Sequence, residues 1–208
     1  ENIMAIYSGD EEAEGIILVD QMRYVGFLSA RSIIRVINEK SLAMARDQNP
    51  LTRLPGNALI NQFVTESLSD IDRPYVYAYF DFDNFKPFND KYGFRQGDRA
   101  ILLFADLMRK QAGAEHFLGH IGGDDFFLGL SGCTEEDGRQ TVAGLIRQFA
   151  SDAESFYDAE TRARGFITAQ DRDGTPKQFP LLSASAVLLH LPVGAKSGSV
   201  DDISSLIA

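Results

Sequence analysis

Aspartates follow short apolar runs at two places in this chain, and they are the residues best suited to chemistry. The first place is Asp81-Phe-Asp-Asn-Phe-Lys-Pro-Phe-Asn-Asp90, which comes directly after the apolar and aromatic run Tyr75–Phe80. The second is Gly122-Gly-Asp-Asp-Phe126, which separates the apolar runs Phe117–Ile121 and Phe126–Leu130. Carboxylates brought close together repel one another unless a cation lies among them. Both segments therefore indicate a cation site if the fold makes them neighbours.

The flanking runs predict the elements that would position these aspartates. An uninterrupted apolar run such as Tyr75–Phe80 is typical of a central strand covered on both faces. The runs on either side of Gly122–Asp125 predict a β-hairpin, whose glycines permit a positive φ at its tip. If this hairpin pairs beside the central strand, Asp81, Asp124 and Asp125 converge on one edge of a sheet.

The chemistry of the expected cation and the charge of the chain narrow the class of ligand. Carboxylate oxygens suit Mg²⁺, a hard ion that keeps several waters and shares ligands with phosphates. A nucleoside triphosphate is then the expected substrate. The formal net charge of −10 argues against nucleic-acid binding, because a polyanion is repelled where no basic patch compensates. The three histidines, His116, His120 and His190, show no metal-ligand spacing and are expected to be ordinary surface or core residues.

Several motifs in one order resemble a known family. The run Asp81–Gly93, then Gly97-Asp98, then Gly122–Phe126 is similar to the diguanylate cyclase (GGDEF) family, and Asn49–Asn57 resembles that family's opening signature. Gly-Gly-Asp-Asp alone would be weak support, whereas several motifs at compatible spacing are specific. The resemblance covers residues 47–208.

The resemblance implies an activity, a cofactor and partners. Two GTP molecules, one on each subunit of a homodimer, would become cyclic di-GMP with loss of pyrophosphate. Mg²⁺ or Mn²⁺ would hold the attacking 3′-oxygen and the triphosphate, so that catalysis comes mainly from positioning and charge stabilisation.

The resemblance also implies a role for each matching residue. Metal ligands would be Asp81, Asp125 and the carbonyl oxygen of Phe82. Catalytic residues would be Asp124, Asp125 and Lys86. Substrate-binding residues would be Asn89 and Asp98 at guanine, with Phe85, Gly122 and Gly123 at the phosphates. Each has an ordinary alternative, since aspartates and asparagines are common in turns, Lys86 could be a solvated surface lysine, and Asp98 could be a charge at a helix N-terminus.

The chain departs from the family pattern at several positions. Asp125 stands where the family usually has Glu, so its carboxylate is one methylene shorter. His120 replaces a common Arg, and Gly113 and His116 replace an Arg and an Asp of the usual product-inhibition site, so no feedback binding is expected there. After Lys196 no basic residue follows, although the family places a Lys and an Arg in that region. These departures leave an alternative function open, a weak or inactive GTP-binding regulator that controls a linked phosphodiesterase domain.

The fold expected for the chain is α+β, with a central, mostly antiparallel sheet flanked by helices and a short N-terminal β-β-α appendage. Residues 1–46 resemble part of a CBS module and its connecting helix, for which Ser29 is the expected cap, and residues 47–208 would form the GGDEF domain. A packing appendage is the alternative for the first segment. Further helices are expected after Asn57, after Gln96 and after Thr134. The second of these should bury a stripe of Ile101, Phe104, Ala105 and Met108, and the third has one apolar face of Val142, Leu145, Ile146, Phe149 and Phe156. A second hairpin is expected from Gly165–Gln170 and Phe179–Leu191.

Composition and hydropathy indicate where the chain functions. With 44% hydrophobic residues it can bury a sizeable core. No apolar run approaches the length of a membrane span, and the first residue is Glu1, which suggests part of a longer protein. The only cysteine, Cys133, fits a reducing cytoplasm.

Overall fold

The computed structural model describes residues 15–113, 115–170 and 173–194, and the chain divides into two compact units between Arg46 and Asp47. The first unit contains an antiparallel hairpin of β1 (Gly15–Asp20) and β2 (Arg23–Ser29), followed by helix α1 (Ala30–Asp47), whose last residue belongs to the second unit. The Ser29 hydroxyl accepts a hydrogen bond from the Ser32 N–H at 3.2 Å, so Ser29 caps α1 as the sequence predicts.

The second unit alternates helices and strands. Its helices are α2 (Asn57–Ser69), α3 (Phe85–Tyr92), α4 (Phe94–Ala112), α5 (Glu135–Ala153) and α6 (Ala159–Arg164). Its strands are β3 (Tyr75–Asp83), β4 (Phe117–Gly122), β5 (Asp125–Ser131), β6 (Phe166–Gln170), β7 (Pro176–Pro180) and β8 (Ser183–Leu191). Within the described ranges, an antiparallel sheet has the order β4-β5-β3-β8, and β6 pairs separately with β7. The predicted α+β class, with its N-terminal β-β-α element, is confirmed.

Strand β3 is the centre of the fold because both of its faces are covered over most of its length. Its even-numbered side chains, Val76 to Phe82, are at most 3% exposed and belong to a core shared with α4 and α5. On the other face, Tyr75 and Tyr77 pack with Ile60 and Val64 of α2. Fully burying a large apolar side chain contributes about 1.5–3 kcal/mol, so the even-numbered face fixes the strand firmly. The predicted central strand is confirmed.

Helices α4 and α5 also agree with the sequence. Helix α4 begins at Phe94, slightly before the expected start at Gln96, and buries the predicted stripe that contains Ile101, Phe104 and Met108. The Thr134 hydroxyl accepts from the Asp137 N–H at 3.2 Å and caps α5.

Two sequence expectations about strand ends are wrong. Strand β3 does not end at Phe80 but continues to Asp83, because β8 pairs with all nine of its residues. The expected strand Phe179–Leu191 is in fact two strands: β7 pairs with β6, and β8 joins the main sheet. Pro180 has no N–H to continue a ladder, and Leu182 is buried with its N–H donating to the Tyr157 hydroxyl at 2.9 Å. The chain is therefore redirected between the two strands.

No helix within the described parts of the chain is long and apolar enough to cross a membrane.

Candidate functional site

The carboxylates singled out in the sequence meet where β3 passes the β4–β5 turn. Phe80 pairs with Phe126, so Asp125, the preceding residue of β5, lies beside Asp81. Gly123 supports this turn with a left-handed φ of 59°, which favours glycine. The predicted convergence of Asp81, Asp124 and Asp125 is thus present in the structure.

The electrostatics of this cluster are those of crowded like charges. Asp81 is exposed, yet partial desolvation of its carboxylate, followed by the charges of Asp124 and Asp125, raises its pKa to about 6. Burial is also the main reason that the pKa of Asp124 is raised. Tyr79, on the same face of β3, has its pKa raised to about 12 by burial and then by a hydrogen bond to Asp125. A cation would relieve the repulsion within this cluster.

A fourth carboxylate, that of Asp83, lies at the same end of β3 and is hydrogen-bonded to the neighbouring strand β8. Asp83 accepts hydrogen bonds from the Ser183 hydroxyl at 2.8 Å and the Ser185 hydroxyl at 2.7 Å, both on β8. For Asp83 the sequence leaves the ordinary role of a turn residue open, and it assigns no role to the two serines. Their spacing of two residues places both side chains on one face of a strand but does not identify Asp83 as their partner.

A cavity of about 570 Å³ adjoins the carboxylates. The predicted site residues Asp81, Phe82, Phe85, Lys86 and Asp124 line it. Asn84, between β3 and α3, also lines the cavity. Its backbone is left-handed, with a φ of 64° and a ψ of 24°, and its side chain does not cap α3. The N-terminus of an uncapped helix favours anions, because its first N–H groups have no partner within the helix.

The two predicted guanine-binding residues lie outside the lining of this cavity. Asn89 is on α3, and its Oδ1 is buried without a hydrogen-bond partner among the described residues. A Cβ atom at Gly97 of α4 would collide with this oxygen, so the Asn89 side chain could keep this position only beside a glycine. Asp98 is exposed and follows Gly97 directly. A buried amide oxygen without a partner is uncommon in proteins and is suited to accept a hydrogen bond from a ligand.

His120 connects the opening loop to the glycine turn. Its buried ring stacks on Phe126 with centroids 4.3 Å apart, its Nδ1 lies 2.9 Å from the Thr52 hydroxyl oxygen, and its Nε2 lies 3.1 Å from the Gly123 carbonyl oxygen. Because a carbonyl only accepts, Nε2 carries the proton and Nδ1 accepts from Thr52. Burial lowers the pKa of His120 and keeps the ring neutral. It is a core histidine, as expected, but one that supports the turn.

Comparison with known proteins identifies the family. The family model described as "Diguanylate cyclase, GGDEF domain" matches residues 46–169. The chain belongs to the GGDEF family. The CBS-like resemblance of residues 1–46 receives no support from the comparisons.

Among curated relatives of this GGDEF domain is the bifunctional diguanylate cyclase/cyclic di-GMP phosphodiesterase MucR of Pseudomonas aeruginosa. It is 25% identical over 174 residues, which cover 81% of this chain and 25% of MucR. The diguanylate cyclase DgcP of the same organism is 30% identical over 106 residues, covering 50% of this chain and 16% of DgcP. The chain thus spans a quarter or less of the length of these relatives.

Solved structures of GGDEF domains share the fold. The coiled coil and GGDEF domain of DgcB from Caulobacter crescentus, in complex with c-di-GMP, has a TM-score of 0.59 at 16% identity and covers 85% of each chain. The FimX GGDEF domain from Pseudomonas aeruginosa has a TM-score of 0.57 at 18% identity, covering 77% of this chain and 88% of that one.

The oxygen donors of this GGDEF domain fit a hard divalent cation. Across residues 15–113, 115–170 and 173–194, no group of three or more His, Cys, Asp or Glu side chains is arranged to hold a metal. The neighbouring carboxylates of Asp81 and Asp125 offer fewer protein ligands than a closed site needs. That set suits Mg²⁺, which usually keeps waters and takes further ligands from substrate phosphates.

Proposed function

We propose that residues 47–208 form a cyclic di-GMP signalling domain that binds GTP and condenses two GTP molecules into cyclic di-GMP and pyrophosphate. The observation that carries the proposal is the convergence of Asp81, Asp124 and Asp125 beside a cavity that Lys86 also lines. Repelling carboxylates next to a lysine and an uncapped helix suit a triphosphate that arrives with its cation.

The proposed phosphate site combines backbone and side-chain donors. The first turn of α3 and Lys86 attract the phosphates, and Gly122 and Gly123 leave the turn without bulky side chains beside them. Asp81, Asp125 and the Phe82 carbonyl hold Mg²⁺ or Mn²⁺, which neutralises phosphate charge when bound. Asp124, whose pKa is raised, accepts the proton of the attacking 3′-hydroxyl.

The proposed guanine site uses the orphaned oxygen on α3. Guanine presents N–H donors at N1 and at its amino group, whereas adenine has no donor at N1. The buried Oδ1 of Asn89 accepts from one of these donors and the Asp98 carboxylate from the other. Selection for guanine follows, because a site designed to accept hydrogen bonds rejects a base that lacks the donors.

The product implies a homodimer. Cyclic di-GMP contains two equivalent phosphodiester linkages, so two copies of the domain must face each other, each presenting one GTP to the 3′-hydroxyl held by the other. GTP as substrate also favours the cytoplasm as the location of this domain. A CBS-like regulator upstream remains a prediction.

Nucleotide selectivity tests the proposed function. Asp98→Ala should weaken GTP binding about tenfold or more and leave ATP binding little changed, because a charge-assisted hydrogen bond is lost only for guanine. Isothermal titration calorimetry with Mg²⁺ measures both ligands. Asp106→Ala, on the exposed face of the same helix, is the matched control. Equal losses for GTP and ATP would remove the guanine assignment.

A specific contact favours a second candidate, a GTP-binding regulator with little or no turnover. An interaction with the Asp125 carboxylate adds to the raised pKa of Tyr79, and Asp125 is already one methylene shorter than the Glu usual in the family. A short carboxylate that interacts with Tyr79 would reach less far towards a cation. Such a domain would control a linked phosphodiesterase, a combination that MucR's name describes for that protein. GTP binding without formation of product would identify this case.

A further inference from the structure

The hairpin of β6 and β7 supplies a cavity wall that sequence reasoning did not assign to the site. Its register pairs Ile167 with Phe179 and Ala169 with Lys177, which places these four side chains on one face. Ile167 is 1% exposed, and Phe179 packs against the main core. The apolar end of this face is therefore anchored in the core, and Lys177, two residues from Phe179, lines the cavity.

Lys177 is the residue of this wall whose positive charge suits a phosphate ligand. Four aspartates line the same cavity, and a triphosphate entering it meets their repulsion: Asp81, Asp90, Asp124 and Asp173. Lys86 on α3 and Lys177 on β7 are the lysines of the lining, and neither forms an ion pair with any residue that the structure describes. The Nζ of Lys177 lies 5.9 Å from the centroid of the Phe179 ring, so its ammonium is close to the wall with its donors open to a ligand.

We propose that Lys177 is a substrate-binding residue that contacts the triphosphate, so that the β6–β7 hairpin and the N-terminal turn of α3 bind the phosphates together. This inference rests on the proposed function. Two lysines on separate elements fit an elongated polyanion better than one does, because each can neutralise a different phosphate group. A volume of about 570 Å³ accommodates a triphosphate with its hydrated cation.

The placement has a consequence for ligand preference. Lys177 lies on a different element from Asn89 and Asp98, and neither of these residues lines the cavity. Its contribution should therefore grow with the number of phosphates and be absent for guanosine. It should also weaken as salt is added, because the site is open to solvent and its charges are screened.

The test compares Lys177→Gln with the wild-type chain by isothermal titration calorimetry with Mg²⁺, using GTP, guanosine and inorganic tripolyphosphate as probes. The substitution should weaken GTP and tripolyphosphate about tenfold at low salt and leave guanosine unchanged. Lys177→Arg should restore most of the loss, because it keeps the charge. Lys110→Gln, in the exposed last turn of α4, is the matched control and should change none of the three.

The outcomes separate this inference from the proposed function. Tight GTP binding that Lys177→Gln leaves unchanged overturns the role of Lys177 while the proposed function stands. Binding of tripolyphosphate that depends on Lys177, without preference for GTP over ATP, supports the phosphate contact and overturns the guanine site. If the wild-type chain binds neither GTP nor tripolyphosphate, both proposals fail.

Discussion

Two aspartates at the end of β3, Asp81 and Asp83, have opposite electrostatic surroundings on the sides of β5 and β8. On the β8 side, Asp83 receives two serine hydroxyl donors. On the β5 side, Asp81 faces Asp125 and Asp124, and its pKa rises to about 6. Both aspartates lie on one face of one strand, two residues apart. The neighbouring strand, rather than the residue type, thus decides the surroundings of each carboxylate. Asp83 has two hydroxyl donors on β8, whereas Asp81 lies beside further carboxylates and has no ion pair with any residue that the structure describes.

The largest effect is expected from removing the charge of Asp81, on the β5 side of the β3 end. Asp81→Asn should lower Mg²⁺-dependent turnover or nucleotide binding by more than about 100-fold, because a metal ligand is replaced by a weaker one. Without Mg²⁺ at pH 7, the same variant should unfold at a higher temperature than the wild type, since like-charge repulsion is relieved. Product analysis, calorimetry and thermal unfolding measure these effects.

Asp83→Asn is the matched control for this comparison. It should keep Mg²⁺ binding and give no gain in thermal stability, because Asp83 already has hydroxyl donors. Equal behaviour of the two variants would abolish the distinction between the two sides.

The next largest effect is a pH dependence of the free energy of unfolding and of the Mg²⁺ affinity, both caused by Asp81. The pKa of Asp81 in the folded protein, about 6, lies above its ordinary value of 3.8. Without Mg²⁺, the free energy of unfolding should therefore fall as pH rises from about 4 to about 6, because ionisation is less favourable in the folded chain. Conversely, Mg²⁺ affinity should be about tenfold weaker at pH 5 than at pH 7, because a proton competes with the cation. Urea unfolding measures the first trend and calorimetric titration of Mg²⁺ measures the second, with Asp81→Asn as reference for both, and flat profiles would contradict them.

A smaller effect is expected from lengthening the neighbouring carboxylate. Asp125→Glu should raise turnover severalfold, because the added methylene lets the carboxylate reach a cation beyond the Tyr79 hydroxyl. Tyr79→Phe should act in the same direction by releasing Asp125. Initial rates of GTP consumption measure both variants. If neither changes the rate, the length and restraint of this side chain are not what limits turnover.

The smallest effect on function is expected on the β8 side. Ser183→Ala combined with Ser185→Ala should lower the free energy of unfolding by about 1–3 kcal/mol, because Asp83 loses two hydrogen bonds. Mg²⁺ affinity should stay within about twofold, since Asp81 is untouched. Urea unfolding and calorimetry measure the two quantities, with exposed Ser151→Ala as control. A large loss of Mg²⁺ binding would show that Asp83 belongs to the cation site.

Sequence reasoning predicted the elements that local patterns define. The uninterrupted run from Tyr75 and the Gly-Gly-Asp-Asp turn specify a buried strand and a hairpin, and their pairing brings Asp81 to Asp124 and Asp125. Periodicity also predicted the buried faces of α4 and α5. The roles of the site residues at GTP and Mg²⁺ stay predictions.

What the sequence did not reveal depends on contacts between distant segments. The hydroxyls of Ser183 and Ser185 reach Asp83 across 100 and 102 residues of sequence, and nothing in a Ser-Ala-Ser pattern marks that partner. Likewise, Asp47 caps α2 by accepting from the N–H groups of Gly56, Ala58 and Leu59, although it precedes that helix by a whole loop. Capping patterns read from sequence consider only adjacent residues.

Some expectations fall outside the described residues. They are the part of the CBS-like segment before Gly15, the first half of the turn at Asp171–Gly174, and the lack of basic residues after Lys196.

The most direct test of the central claim is incubation of the chain with GTP and Mg²⁺, with the product identified by mass spectrometry and Asp81→Asn and Asp83→Asn run in parallel. We expect cyclic di-GMP from the wild type and from Asp83→Asn, and none from Asp81→Asn. Cyclic di-GMP from Asp81→Asn at the wild-type rate would contradict this expectation, because the Asp81 carboxylate would then have no part in the chemistry.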